Sequence, residues 1–117
     1  MFLIFDTETT GLPKNFKAPL TDFDNWPRMV QLAWQLHDNT GKLLQSNSII
    51  IKPVDFEIPE ASIKIHGISN QKAATDGEDL KSTLQYFTGS VNIADFICGH
   101  NVNFDLNIVS AECLRMQ

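Results

Sequence analysis

Long hydrophobic runs, clustered basic residues and cysteines are all scarce in this sequence, and each scarcity excludes a class of protein. No apolar run approaches the roughly 18 residues that a membrane-spanning helix needs, so we expect no association with a membrane. Cys98 and Cys113 are too few and too irregularly placed for a disulfide framework or a zinc site, and we interpret them as reduced thiols in the core. A basic N-terminal region is missing, and Asp6 interrupts the first apolar stretch early, which favours a cytoplasmic protein over a secreted one.

The chain also lacks the positive charge of a protein that holds nucleic acid on a broad basic surface. Its formal net charge is −5 at pH 7, whereas many phosphate contacts need clustered Lys and Arg. A small footprint bridged by metal ions stays compatible with this charge, because the ions supply positive charge locally. The 117 residues, of which 43% are hydrophobic and 20% charged, predict a single globular domain large enough to bury a core.

Two acidic residues follow the apolar start of the chain directly. Phe2 to Phe5 read as a fully buried strand, and because side chains of a strand alternate between its faces, Asp6 and Glu8 project from the same side. Two carboxylates in one small space repel each other unless one is protonated or a cation lies between them. Mg²⁺ and Mn²⁺ prefer carboxylate oxygen and water, so the pair is a candidate metal site. The alternative is that the two acids simply end the strand in solvent.

The remainder of the chain alternates between strand-like and helix-like patterns. Glycine and proline mark the turns between them, and an irregular stretch of unusual length lies near the start. The predicted elements are a turn over Thr9–Lys14, a loop over Asn15–Pro27, strands over Met29–His37 and Leu43–Lys52, a short helix from near Pro59 to Gly67, a helix over Gly77–Gly89, a strand over Asp95–His100, and a final helix from Phe104 with Asn103 as its N-cap.

Asp105 is the third acidic residue with a predicted special position. It lies in the first turn of the final helix, where free backbone N–H groups keep a carboxylate ionised and oriented. If the first and fourth strands are parallel neighbours, Asp6, Glu8 and Asp105 meet at the carboxyl edge of the sheet, where open α/β folds place their ligands. A carboxylate cluster at such an edge suits two-metal phosphoryl chemistry.

Three blocks of the sequence resemble motifs of one enzyme family. DTETTGL at Asp6–Leu12 and GHNVNFD at Gly99–Asp105 are similar to the first two motifs of the DEDD superfamily of 3′-to-5′ exonucleases, and IHGIS at Ile65–Ser69 is similar to a stretch between them. The blocks resemble most the DEDDh branch, typified by the proofreading epsilon subunit of bacterial DNA polymerase III. The resemblance covers nearly the whole chain in the right order and spacing.

This resemblance implies a fold, a reaction and a metal site. The fold would be an α/β ribonuclease-H-like mixed sheet flanked by helices, and the reaction the hydrolysis of nucleotides from single-stranded 3′ ends of DNA or RNA. Two Mg²⁺ or Mn²⁺ ions would take part, with Asp6 bridging both, Glu8 binding the first and Asp105 supporting the second, partly through water. A DNA polymerase is one candidate partner.

The resemblance also implies a second group of residues, which would bind the terminal nucleotide. The backbone of the turn would approach that nucleotide, an apolar side chain would pack against the terminal bases, and two further side chains would line the pocket. In this chain they are Thr9, Thr10 and Gly11, then Leu12, then His66 and Phe104.

One part of the family pattern has no counterpart in the sequence. The family's third motif supplies a fourth carboxylate and a general-base His, and His100 cannot stand in for that base because it belongs to the second motif. We therefore expect residues 1–117 to be the N-terminal portion of a single exonuclease domain, without its last strand and helix, and to hydrolyse slowly or not at all. Uncovered apolar surface would favour self-association. The alternative is a non-catalytic nucleic-acid or partner-binding module that retains the fold.

Overall fold

The fold is built on one mixed sheet of four strands, described by a computed structural model of residues 1–117. The strands lie in the order β3-β2-β1-β4. β1 pairs antiparallel with β2 and parallel with β4, and β2 pairs antiparallel with β3. The two strands predicted over Met29–His37 and Leu43–Lys52 thus form a hairpin, and the first and fourth strands are the parallel neighbours on which the predicted meeting of the acids depends. The strands are β1 (Phe2–Thr9), β2 (Met29–His37), β3 (Leu43–Ile50) and β4 (Phe96–Cys98).

Four helices accompany the sheet: α1 (Glu60–His66), α2 (Asn70–Asp76), α3 (Leu80–Ile93) and α4 (Val102–Arg115). α1 ends, as predicted, at Gly67, whose φ of 76° is a left-handed conformation that glycine adopts without a steric penalty. α2 was not predicted, because seven residues are too few to show a helical period. Its N-cap Ser69 accepts a hydrogen bond from the Lys72 N–H. None of the helices is both long and apolar enough to cross a membrane.

The core lies between one face of the sheet and helices α3 and α4. Leu3, Phe5 and Trp34 point to this face and are at most 2% exposed. The Phe87 ring of α3 lies 5.2 Å from the rings of both Phe5 and Trp34, and Ile108 of α4 completes the same cluster. Aromatic rings and branched chains in direct contact bury most of the apolar area that stabilises the domain.

The prediction that Phe2 to Phe5 form a fully buried strand was wrong. Burial alternates along β1, and Ile4 is 46% exposed, because the helices that pack on β1 cover only its other face. Phe2 instead stacks on Phe96 of the neighbouring strand, with ring centroids 5.3 Å apart. Phe96 is 58% exposed, and its neighbour Ile97 is 37% exposed. The uncovered face and the β4 edge of the sheet therefore carry exposed apolar side chains.

Several predicted boundaries also shift. α3 continues through Gly89 to Ile93, and β3 ends at Ile50 rather than Lys52. β4 comprises Phe96–Cys98 rather than Asp95–His100. The N-cap of α4 is Asn101 rather than Asn103, in a left-handed conformation that asparagine tolerates.

The long loop before β2 is held by its own side chains. The Trp26 Nε1–H donates to the Pro19 carbonyl at 2.9 Å, and the Asn25 amide exchanges hydrogen bonds of 2.8 and 3.0 Å with the backbone of Asn15. Trp26 is 3% exposed, so it anchors the loop to the core. Cys98 and Cys113 are free and half-buried.

Candidate active site

The end of β1 and the start of α4 meet at the carboxyl edge of the sheet. Asp105 lies in the first turn of α4 and is 3% exposed. Its Oδ1 accepts hydrogen bonds from the Thr7 N–H at 3.1 Å and from the Thr7 hydroxyl at 2.5 Å. Thr7 stands between Asp6 and Glu8 in the sequence, so these bonds bring the third acidic residue to the strand that carries the other two.

The charges of the three acids influence one another. Burial raises the pKa of Glu8, the charges of Asp6 and Asp105 raise it further, and His66 opposes them. Burial likewise raises the pKa of Asp105, and the charge of Asp6 adds to this effect, whereas the hydrogen bonds from Thr7 lower it. Both shifts disfavour the ionised form of the carboxyl group. Shifts in this direction are typical of neighbouring carboxylates that have no opposite charge beside them.

The donor chemistry of this group fits a hard divalent cation, since all three side chains offer carboxylate oxygen. No group of three or more His, Cys, Asp and Glu side chains is arranged as a ready ligand set, however. Asp6 is exposed and lines a cavity of about 550 Å³ on the uncovered face of the sheet, together with His100, while Glu8 lines a different cavity. The acids are therefore neighbours without forming a closed cage.

The second cavity, which we call the Glu8 cavity, gathers most of the residues predicted to bind a nucleotide. Its volume is about 240 Å³, and five of the six predicted positions line it. They are Thr9, Gly11, Leu12, His66 and Phe104, and the remaining lining residues are Thr7, Glu8, Ser62 and Ile65. Leu12 is 72% exposed, as an apolar side chain that meets a ligand rather than the core would be.

His66 offers a hydrogen-bond donor in the wall of the Glu8 cavity. Its Nδ1 accepts from the Ile68 N–H at 3.1 Å, so the neutral ring carries its proton on Nε2. That Nε2 is buried and has no partner in the protein. A buried donor without a partner costs stability, and a ligand oxygen in the cavity would relieve that cost.

Thr10 is the one predicted nucleotide-binding residue outside the Glu8 cavity. Its N–H donates to the Arg28 carbonyl at 3.0 Å, and its hydroxyl accepts from the Arg28 N–H at 2.9 Å. Its carbonyl accepts from the Ser62 hydroxyl at 2.7 Å. Thr10 therefore fixes the turn to β2 and α1, and Gly11, with a φ of 151°, carries the chain onward in a conformation that other residues rarely adopt.

Sequence reasoning missed Thr7 and Ser62, which support the site. Thr7 orients Asp105, and Ser62 holds the turn that lines the cavity. The position of Thr7 between two acids was a usable signal, because its side chain must point to the opposite face of the strand from theirs. No local pattern marked Ser62.

The fold is a mixed sheet with the strand order β3-β2-β1-β4, flanked by helices. Its acidic residues lie at the end of the first strand and near the start of the last helix, an arrangement that is typical of the ribonuclease-H-like class. The family model described as Exonuclease, of the RNase T type, matches residues 3–117, and the chain belongs to this exonuclease family. A search of curated protein sequences finds no match.

Solved structures of exonuclease I share the fold. The E. coli exonuclease I complex with a dT13 oligonucleotide superposes with a TM-score of 0.78 at 24% identity, over 97% of this chain and 23% of that one. Apo exonuclease I gives a TM-score of 0.78 at 23% identity, over 97% and 24% of the two chains. A product-bound exonuclease I gives 0.77 at 24% identity, over 97% and 25%. The chain thus spans about a quarter of the length of these relatives.

Proposed function

We propose that this chain provides the metal-binding half of a 3′-to-5′ exonuclease of the DEDDh branch, similar to the polymerase III epsilon subunit. It would hydrolyse phosphodiester bonds at single-stranded 3′ ends with two Mg²⁺ or Mn²⁺ ions. The observation that carries this proposal is the buried Asp105, whose carboxylate is bonded to Thr7, a residue that lines the same cavity of about 240 Å³ as Glu8. Membership of the exonuclease family supports the reaction class.

Each residue would have a distinct task in this reaction. Asp6, Glu8 and Asp105 would hold the ions, which supply Lewis-acid stabilisation of the charge that develops on the phosphate. Thr7 keeps the Asp105 carboxylate oriented through two hydrogen bonds to one oxygen, which leaves Oδ2 outside that contact. The His66 Nε2–H would donate to an oxygen of the terminal nucleotide.

The substrate we propose is the 3′ end of single-stranded DNA or RNA. With a net charge of −5, we expect the chain to meet the phosphate that is cleaved through bound cations rather than through a broad basic surface. The exonuclease I relatives are described in complexes with dT13 and dA16 oligonucleotides, which supports DNA. One relative is described in a complex with SSB-Ct, so a single-strand-binding protein joins a DNA polymerase as a candidate partner.

We propose weak activity for residues 1–117 taken alone. The three carboxylates do not form a ready ligand set, so metal binding must gather them. The general-base His that the family resemblance implies has no counterpart in residues 1–117, and a base contributes about a hundredfold or more.

The direct experiment follows a 5′-labelled 20-nucleotide single strand in Mn²⁺ on a sequencing gel. We expect slow loss of single nucleotides from the 3′ end, reduced at least about a hundredfold in Asp6→Asn and Asp105→Asn. Asp76→Asn, which changes an exposed acid on α2, is the matched control and should be unchanged. Internal cuts or attack from the 5′ end would refute the assignment, and rapid trimming that Asp6→Ala abolishes would refute the weak activity.

The missing ligand set favours one alternative, a binding module without catalysis. Such a module would bind the oligonucleotide in Mn²⁺ and leave it intact over days at high protein concentration. A slow 3′ ladder that Asp105→Asn removes would exclude this alternative.

We also propose self-association through the uncovered sheet face, and action in the cytoplasm. Phe96 is 58% exposed and Ile4 is 46% exposed beside it, which is a large apolar area for a monomer. The free cysteines suit a reducing compartment. Light scattering across a concentration series tests the first point, and a monodisperse monomer at high concentration would contradict it.

A further inference from the structure

A third cavity adjoins the Glu8 cavity across the turn after β1. Its volume is about 470 Å³, and Gly11 and Leu12 line both cavities, so the turn forms the ridge between them. We call it the Arg28 cavity. The chain has only two arginines, Arg28 and Arg115, and both line this cavity together with Lys14. Such a concentration of the scarce guanidinium groups beside the candidate site calls for a chemical reason.

The guanidinium group of Arg28 is held in place by the protein, but the fork formed by its two terminal nitrogens is not used in doing so. Its Nε–H donates to Oε1 of the buried Glu112 at 2.9 Å, and its guanidinium carbon lies 4.5 Å from the centroid of the Phe56 ring. Its backbone is bonded in both directions to Thr10. The terminal nitrogens Nη1 and Nη2 donate no hydrogen bond within the protein, and the side chain is 26% exposed. A fixed guanidinium with two free donors matches the oxygens of a phosphate.

Arg115, by contrast, is fully engaged with the protein. It donates to Glu112 and to the carbonyls of Phe23 at 2.9 Å and Trp26 at 2.6 Å. It therefore fastens the loop wall of the cavity to α4. This leaves the Arg28 fork and the exposed Lys14 as the cations able to meet a ligand.

The remaining walls limit the ligand to one phosphate group. Asp24 and Asp55 also line the cavity and would repel a longer anionic stretch. The guanidinium groups of Arg28 and Arg115 lie over the rings of Phe56 and Phe23, so only the opposite ring faces are left as apolar surface on which a base could stack. Cations, aromatic rings and a shared ridge with the Glu8 cavity together describe a nucleotide unit continuous with the first.

We propose that the Arg28 cavity binds an internucleotide phosphate of the strand whose 3′-terminal nucleotide occupies the Glu8 cavity. The Arg28 fork contacts the phosphate, Lys14 supports it, and Leu12 lies between the two nucleotides. This inference rests on the proposed function, because it assumes that a nucleic-acid strand enters the Glu8 cavity.

The test measures binding in EDTA, so that neither cleavage nor metal bridging contributes. Fluorescence anisotropy of 5′-fluorescein-labelled hexathymidylate reports the strand, and NMR titration with thymidine 5′-monophosphate reports the Glu8 cavity alone. Lys14→Gln and Arg28→Lys, which keeps the charge but loses the fork, should each weaken hexathymidylate binding about fivefold to tenfold. Each phosphate contact that is lost should lower the salt slope of log K by about 0.7.

Lys42→Gln is the matched control, since it removes one exposed cation at the opposite end of β2. It should leave both affinities unchanged. Equal hexathymidylate affinity of the wild type and Lys14→Gln, or an equal loss of monophosphate binding in the variants, would overturn the inference. Inorganic phosphate at low millimolar concentration should not displace hexathymidylate, and if it does, the cavity is a site for free phosphate instead. If the wild type binds neither probe in EDTA, the inference fails, and if thymidine 5′-monophosphate does not bind in Mn²⁺ either, the proposed function fails as well.

Discussion

Helix α4 buries one carboxylate near each end, with Asp105 3% exposed and Glu112 0% exposed. Glu112 Oε1 accepts from Arg28 and from Arg115, so two cations of the chain itself surround that acid. Asp105 has no cation of the protein within ion-pair distance and accepts only from Thr7. Burial and the nearby charge of Asp6 raise its pKa, which is the sign of an uncompensated acid.

This difference separates Glu112, whose charge is neutralised by arginines of the chain, from Asp105, which has no cationic partner in the protein. The chain places its only two arginines around Glu112, and neither of them forms an ion pair with the three carboxylates at the edge of the sheet. A buried carboxylate that has no cationic partner in the protein is neutralised either by a proton or by a cation from solution. Under the proposed function, Asp105 is therefore the acid whose charge a metal ion would neutralise.

The largest expected effect is the loss of the charge on Glu112. Glu112→Gln keeps the shape and one acceptor oxygen but leaves the partly buried guanidinium groups of Arg28 and Arg115 without a counter-charge, so we expect the free energy of unfolding to fall by about 3 kcal/mol. Urea denaturation followed by circular dichroism measures it. The isosteric Asp105→Asn is the control and should not be destabilised. Equal losses of unfolding free energy in the two variants would show that Asp105 stabilises the fold as much as Glu112 does.

A second, smaller effect should come from adding Mn²⁺, the cation that we propose for the three carboxylates. Mn²⁺ at a hundred times its dissociation constant should stabilise the wild type by about 2.7 kcal/mol, because the ion binds the folded state alone. Asp6→Asn and Asp105→Asn should lose most of this gain, and Asp76→Asn, on the exposed surface of α2, should keep it. Thermal melts with and without Mn²⁺ measure the shift. An undiminished shift in Asp105→Asn would mean that the ion binds elsewhere.

The sequence predicted the meeting of the acids because each step depended on local rules. The apolar run placed the end of β1, the predicted α4 placed Asp105 in a first helical turn, and a parallel pairing then brings strand ends to one edge. The sequence also predicted the end of α1 at Gly67, because a left-handed C-terminal position favours glycine.

Long-range contacts were beyond such rules. Arg28 and Glu112 are 84 residues apart, and their contact depends on the rotation of α4 about its axis and on where β2 begins. The one-sided burial of β1 was missed for a related reason, since a run of four apolar residues does not show which face a helix will cover. Thr10 was assigned to ligand binding, and whether it contacts a ligand stays untested, but its polar atoms are engaged by Arg28 and Ser62.

The smallest expected effect concerns the pH dependence of the metal-free protein. The raised pKa of Asp105 means that folding disfavours its ionised form, so the penalty is absent below the ordinary value of 3.8 and grows as the pH rises through the raised pKa. The amide of the Asp105→Asn variant would still accept both hydrogen bonds from Thr7 through its Oδ1, without a charge. In EDTA at pH 7 we therefore expect Asp105→Asn to have a higher Tm than the wild type.

The difference should disappear as the pH falls below 3.8, where both states of the wild type carry a protonated Asp105. Differential scanning calorimetry of the two proteins at several pH values measures this dependence. A lower Tm of Asp105→Asn at pH 7 would show that the carboxylate stabilises the fold, and a gap independent of pH would show that its charge is not the cause. The first result would place Asp105 with Glu112 among the structural acids, and the second would remove the evidence that the charge of Asp105 is unfavourable in the metal-free protein.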